Sequence, residues 1–237
     1  MNSDPMLSEN LQAVRRKIRA ACARAARDPS DVTLIAVTKT FSVDSITAAM
    51  QLGLKIFGES YIQEAFLKAS ALPAIIPPEI SREDVSWHLI GHLQKNKAAQ
   101  AVKLFDVIHS VDSAALADAI NRHAGNILKI QRVLVQVSLA GEDTKYGIDE
   151  AGLIGLVKAI SGMPHLKLEG LMTIPPYNDD PEALRPYFAR LRRLRDEINA
   201  DGFALRELSM GMSGDFEAAV EEGSTMVRVG TGLFGSR

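Results

Sequence analysis

Apolar residues recur along this chain in two alternating rhythms. Short aliphatic or β-branched runs, the length of a strand, give way to stretches whose apolar positions fall three or four apart, the spacing of one helix face. The first helical stretch starts at Asp4-Pro5, with aspartate as N-cap and proline in the first turn. Its apolar face carries Leu7, Leu11, Val14, Ile18 and Cys22, and Asp28-Pro29-Ser30 ends it. Leu34 to Thr40 is the first strand, and Ser42 to Gln51 is helical. Lys55-Ile56-Phe57 and Ser86 to Ile90 are the next strands. Between them lie a helix from Tyr61 to about Ala71 and a loop with Pro73, Pro77 and Pro78. Leu93 to Lys97 opens another helix. Asp106 to His109, Arg132 to Ser138, Leu166 to Leu171, Leu205 to Ser209 and Thr225 to Val229 complete the strands. Helices lie between them, around Leu116 and Ile120, over Asp149 to Ile160 after a turn at Lys145 to Ile148, along Leu184 to Ile198, and over Gly214 to Glu222.

Eight strands, each followed by a helix or the chain end, require parallel pairing with right-handed crossovers. Over residues 1–237 this pattern predicts an α/β fold with a single (β/α)8 TIM barrel and one extra helix in front. The rival is an open doubly wound sheet, and no Gly-x-Gly-x-x-Gly follows the first strand to support its dinucleotide-binding version.

Composition narrows the function. A net charge of −2 gives no electrostatic reason for nucleic acid or an anionic membrane as partner. The basic run Arg15, Arg16, Lys17, Arg19 and Arg24 falls mainly on the solvent side of its helix. One cysteine, Cys22, excludes an internal disulfide, fits a reducing compartment and reads as core packing. No run reaches the ~20 apolar residues of a membrane span. Asp4 and Glu9 near the start are unlike a secretory signal, so the expected setting is cytoplasmic.

Barrel chemistry sits at the carboxyl ends of the strands. Those ends hold Lys39, Glu59-Ser60, His88 with Gly91-His92, Asp112, Ser138, Met172-Thr173, Ser209 to Ser213, and Arg228 with Gly230-Thr231-Gly232. Lys39 closes an apolar strand. An amine at the rim of a core is a Schiff-base candidate, and the plainer alternative is a lysine that caps the strand and reaches water. The glycine-containing turns in the seventh and eighth loops fit backbone phosphate binding. A lysine with a phosphate cradle across the barrel suggests pyridoxal 5′-phosphate (PLP). An aldolase-type lysine acting on a phosphorylated metabolite remains open. The single cysteine and the placement of His88 and His92 match no zinc pattern, and the two histidines read as hydrogen-bonded side chains. There is no Gly-x-Ser-x-Gly elbow and no Walker loop. Asp215, Glu217, Glu221 and Glu222 read as helix N-terminal and surface charges.

Six stretches carry a family resemblance: Ala36 to Thr40, Phe57-Gly58-Glu59, Trp87 to Lys97, Gly170 to Pro175, Leu208 to Ser213 and Gly223 to Thr231. In this order they resemble the YggS/PROSC-type pyridoxal phosphate homeostasis proteins, from about Asp31 to the chain end. The resemblance implies a fold type III PLP barrel like the N-terminal domain of alanine racemase, without its second domain. It implies PLP held as an aldimine on Lys39, with Ser209, Gly230 and Thr231 at the phosphate. Arg228 would face the pyridine nitrogen, with His88 and Met210 around the ring. The family's asparagine after Phe-Gly-Glu is Ser60 here, a hydroxyl in place of an amide at a cofactor-binding position. The implied role is a monomeric, non-catalytic carrier that buffers PLP or delivers it to PLP-dependent apo-enzymes. The alternative is a PLP-dependent amino-acid racemase or decarboxylase. A racemase of this fold draws a second base from another domain, and the chain ends at Arg237 before one.

Overall fold

The computed structural model describes residues 5–76, 80–140 and 146–235. Asp4 as a helix cap, Pro77 and Pro78 of the loop and Lys145 of the turn lie outside the described residues.

The strands are β1 (Thr33–Val37), β2 (Ile56–Glu59), β3 (Ser86–Leu89), β4 (Val107–Val111), β5 (Gln131–Gln136), β6 (Leu166–Met172), β7 (Glu207–Met212) and β8 (Met226–Val229). They close in chain order into a barrel, with every neighbouring pair parallel. The helices are α1 (Pro5–Arg24), α2 (Val43–Gln51), α3 (Ile62–Ile75), α4 (Ala98–Leu104), α5 (Ala114–Asn126), α6 (Glu150–Ser161), α7 (Arg185–Ala200), α8 (Phe216–Glu221) and α9 (Thr231–Phe234). The expected (β/α)8 barrel with a leading helix is therefore the observed fold.

Strand alternation separates two layers. Outward residues such as Ala36, Phe57, Trp87, Leu89, Ile108, Val133, Leu171, Leu208 and Val227 build the main core against the helices. Val107, Leu134 and Met172 form a small separate cluster from β4, β5 and β6. Gly58 leaves room for interior side chains, since a Cβ there would stand 2.9 Å from Ile35 Cγ2 and 3.2 Å from Ile90 Cδ1. Ser42, Ser113 and Asp149 cap α2, α5 and α6 by accepting from backbone N–H groups.

The leading helix has a structural task. The helix after β8 spans only 4 residues, too few to cover its sector of the barrel. Helix α1 packs against both α8 and α9, burying Leu7, Leu11, Val14, Ile18, Ala21 and Cys22. Asn10 Nδ2 donates to the Leu233 carbonyl at 2.9 Å and ties α1 to α9. Cys22 is thus core packing, as expected. Of the basic run, Lys17 and Arg24 pair with Glu217 and Glu221 on α8. Among the described residues no helix is long and apolar enough to cross a membrane.

Two boundaries differ from expectation in ways that matter at the barrel mouth. Strand β1 stops at Val37, because Thr38 and Phe41 close a turn (Phe41 N–H to Thr38 carbonyl, 2.9 Å), so Lys39 lies in that turn and not in the strand. Strand β7 runs to Met212, three residues further than predicted, because its register against β8 shifts between Ser209 and Met212.

Candidate functional site at the barrel mouth

Lys39 is half-buried at the carboxyl end of β1. Its neighbour Thr40 has φ 65°, a left-handed conformation that costs a non-glycine residue about 1 kcal/mol. Three side chains hold this turn. Lys68 of α3, 5% exposed, donates from Nζ to the Thr38 carbonyl (2.6 Å), Glu59 Oε1 (2.7 Å) and Glu64 Oε1 (2.6 Å). Thr38 Oγ1 donates to Glu59 Oε1 at 2.6 Å, and the Thr40 N–H donates to Glu64 Oε1. Glu59, the last residue of β2, reaches Lys68 of α3 and the Thr38 side chain. Burial pushes its carboxyl pKa up, while Lys68 and Thr38 oppose that rise.

The sequence places the phosphate cradle across the barrel from Lys39, and closure of the sheet corrects this. Strand β8 is the direct neighbour of β1, with Ala36 opposite Val229. Gly230 therefore sits beside Val37, its would-be Cβ 3.4 Å from both the Val37 carbonyl oxygen and Val37 Cβ. The backbone N–H groups of Gly230 and Gly232 both donate to Ser213 Oγ, at 3.2 and 3.1 Å. Thr231, exposed, lies between them at the start of α9. Ser213 reaches this position because Gly211 bends β7. Its φ is 92°, and a Cβ there would stand 2.6 Å from Ala219 Cβ and 2.9 Å from Phe216 Cα.

Ser209 and Met210 are not at this cradle. Ser209 is fully buried inside the barrel, four residues before the turn, and its hydroxyl is engaged by Arg228 and His109. The Met210 side chain alternates outward into the helix-facing core. The three-residue extension of β7 moves the loop from Ser209 to Ser213.

A polar row crosses the barrel interior. His88 Nδ1 lies 2.9 Å from His109 Nε2, and His109 Nδ1 lies 2.9 Å from Ser209 Oγ. Arg228 Nη1 donates to Ser209 Oγ at 2.6 Å, and Nη2 donates to the Thr173 carbonyl at 3.0 Å. Burial, reinforced by Arg132, pushes the His88 pKa down to about 3. Burial and the neighbouring His88, Arg228 and Arg132 hold His109 well below the usual imidazole range. Both rings are neutral at pH 7. Desolvation lowers the Arg228 pKa to about 10, against which Asp215 supports the charge, so the guanidinium stays cationic at neutral pH. Asp215 is itself buried, accepting from the Met212 N–H, and is not the surface charge the sequence suggests. Glu217, Glu221 and Glu222 do form surface ion pairs with Lys17, Arg24, Arg185 and Arg192.

Ser60 follows β2, half-buried, where its backbone passes so close to Gly91 that a Cβ at residue 91 would lie 2.4 Å from the Ser60 oxygen. His92 stacks on Tyr146, with centroids 3.6 Å apart, and its Nδ1 is 3.7 Å from Asp112 Oδ2. Sequence reasoning missed His109, Lys68 and the structural part of Asp215. His109 carried one usable signal: it is two residues from Val107 and shares its inward face.

The model of the alanine racemase N-terminal domain family matches residues 10–237. A pyridoxal phosphate homeostasis protein of Aquifex aeolicus (strain VF5) is 43% identical over 230 residues, covering 97% of each chain. One of Escherichia coli (strain K12) is 37% identical over 240 residues, covering 98% of this chain and 97% of the other. Among solved structures, PipY of Synechococcus elongatus PCC7942 with PLP bound superposes with a TM-score of 0.83 at 38% identity, covering 97% of this chain and all of that one. An alanine racemase of Clostridium difficile 630 shares the barrel, with a TM-score of 0.72 at 16% identity, and this chain covers 57% of it. The barrel with a lysine after its first strand is thus of the alanine racemase N-terminal type. Within that class, the chain belongs to the family of pyridoxal phosphate homeostasis proteins.

Proposed function

We propose that this protein binds PLP at the barrel mouth and serves PLP homeostasis as a carrier, a single barrel domain that buffers the cofactor and releases it to PLP-dependent apo-enzymes. The observation that carries this reading is that the Lys39 turn leaves the end of β1, the strand paired with β8, and that Gly230, just after β8, lies against Val37 and shares Ser213 with Gly232. The donor set fits the cofactor: convergent N–H groups and hydroxyls suit a phosphate, and a half-buried amine suits an aldehyde.

Lys39 would hold the cofactor through its amine, the partner for the aldehyde that PLP supplies. Ser213, Thr231 and the N–H groups of Gly230 and Gly232 would hold the phosphate. Arg228 would serve the pyridine nitrogen as a hydrogen-bond donor. Ser209 and His88 act behind Arg228 through the interior row and do not touch phosphate. Ser60 lines the mouth with its hydroxyl, and Met210 contributes packing only.

PLP supplies an aldehyde and an electron-accepting ring. Arg228 is a donor without acceptor capacity, cationic at neutral pH, so it disfavours a proton on the nitrogen it faces. That makes the ring a weak electron sink, which weighs against strong turnover.

An absorbance spectrum of the purified protein, then borohydride reduction and peptide mass mapping, tests the site. A Schiff-base band with the reduced adduct on Lys39 is the expected result. A colourless protein that takes up no added PLP overturns the reading. Amino-acid racemisation well above that of free PLP, abolished by Lys39→Ala, would overturn the carrier role while leaving the site intact.

A further inference from the structure

We propose that Lys68, through Glu59 and Glu64, is the positioning group of Lys39: it fixes the backbone turn that presents the amine, so PLP retention depends on residues that never touch the cofactor. This rests on the reading of Lys39 as the cofactor lysine. The network touches the residue on each side of Lys39. On one side, the Thr38 carbonyl accepts from Lys68 and the Thr38 hydroxyl donates to Glu59. On the other, the Thr40 N–H donates to Glu64. Lys68 joins both carboxylates, and it and Glu59 are buried at 5% and 0% exposure.

The turn needs such a hold. Thr40 carries φ 65°, which a threonine adopts reluctantly, and Glu64 accepts from the N–H of that same residue. Two acidic groups and one cation under a lone turn would be a poor way to stabilise a fold, because buried ion pairs return little net stability. They do suit preorganisation: a lysine already held in its binding position loses less freedom when it forms its bond.

The test is a double-mutant cycle on the full chain, read as the PLP dissociation constant and Schiff-base absorbance. Glu64→Ala is the working variant, because the Glu64 side chain is 25% exposed and its loss leaves Lys68 paired with Glu59. Glu64→Gln serves if the alanine variant fails to fold. We expect Glu64→Ala to weaken PLP binding about tenfold with Lys39 present, and less than about twofold in the Lys39→Ala background. Adding Thr40→Gly should recover most of the loss, since glycine takes φ 65° without the carboxylate's help. Equal losses in both backgrounds, no loss in either, or no recovery with glycine would overturn the inference while leaving the Lys39 site standing. If Lys39→Ala itself changes neither binding nor spectrum, the Lys39 reading fails and the inference falls with it.

Discussion

His88 Nδ1 and His109 Nε2 stand 2.9 Å apart inside the barrel, two imidazoles sharing one hydrogen bond and both held neutral by burial. Their second neighbour, Ser209, links them to the cationic Arg228. The row therefore joins a buried charge to groups that resist becoming charged. Protonating either imidazole would place a second positive charge in the same interior.

The pH dependence of stability follows in sign and range. Each folded-state pKa lies below the ordinary value of 6.5, so the unfolded chain binds more protons than the native one below about pH 6.5. Stability is full above that pH and falls as pH drops toward the folded pKa of about 3 for His88. At pH 5 the His88 contribution is a loss of about 2 kcal/mol, and His109 acts in the same direction. Urea unfolding at pH 7 and pH 5 measures it. His88→Gln should flatten the dependence between those pH values, and an unchanged slope in that variant would refute the assignment.

At Gly211 two penalties coincide. An alanine there must adopt φ 92° and push its methyl against Phe216 and Ala219. We expect Gly211→Ala to cost about 2–4 kcal/mol of stability, seen as a lowered melting temperature. The same substitution should loosen PLP binding, because Gly211 sets the path of β7 to Ser213. A variant as stable as the parent would show that the bend is not required.

Ser213 makes a sharper point about the cradle. Its hydroxyl accepts from Gly230 and Gly232 N–H, two groups that gain a phosphate partner in the proposed complex. Ser213→Ala should cost the unliganded protein about 1 kcal/mol or less, since these groups are only part-buried. PLP affinity should fall about tenfold, and affinity for pyridoxal, which lacks the phosphate, should stay unchanged. Equal losses for both ligands would place Ser213 away from the phosphate.

The contrast between Ser209 and Ser213 illustrates what the sequence reveals and what it conceals. Alternating strand and helix periods specify the barrel, because each unit must bury one face against the next. Lys39, Gly230 and Thr231 are visible as strand ends for the same reason. Register within β7 is not visible: both serines lie on a Ser-Met-Gly-Met-Ser stretch, and a bulge moves the loop by three residues, inverting which serine is interior. Lys68 reads as an ordinary helix lysine until its contacts with Glu59 and the Thr38 carbonyl are seen. His109 reads as a strand residue until β3, β4 and β7 bring His88, His109 and Ser209 into one row. Closure of the sheet, which sets β8 against β1, turns a cradle expected opposite Lys39 into its neighbour. In each case the missing information is a long-range contact and not a local propensity.

Arg228 offers the test that separates charge from geometry. Its two terminal nitrogens donate to Ser209 Oγ and the Thr173 carbonyl, and Asp215 supports its charge. Arg228→Gln removes the cation and its paired donors to Ser209 and the Thr173 carbonyl, with a cost of about 2 kcal/mol. Arg228→Lys keeps the charge but lacks the planar fork that spans Ser209 and Thr173 together. If the site needs only a positive charge, the lysine variant retains PLP as the parent does. If it needs the fork, both variants weaken PLP binding, and the lysine variant is the more stable of the two. The fixed pair of Arg228 hydrogen bonds favours the second outcome. Equilibrium unfolding together with PLP titration of both variants decides it. Parental PLP affinity in Arg228→Gln would remove Arg228 from the cofactor site.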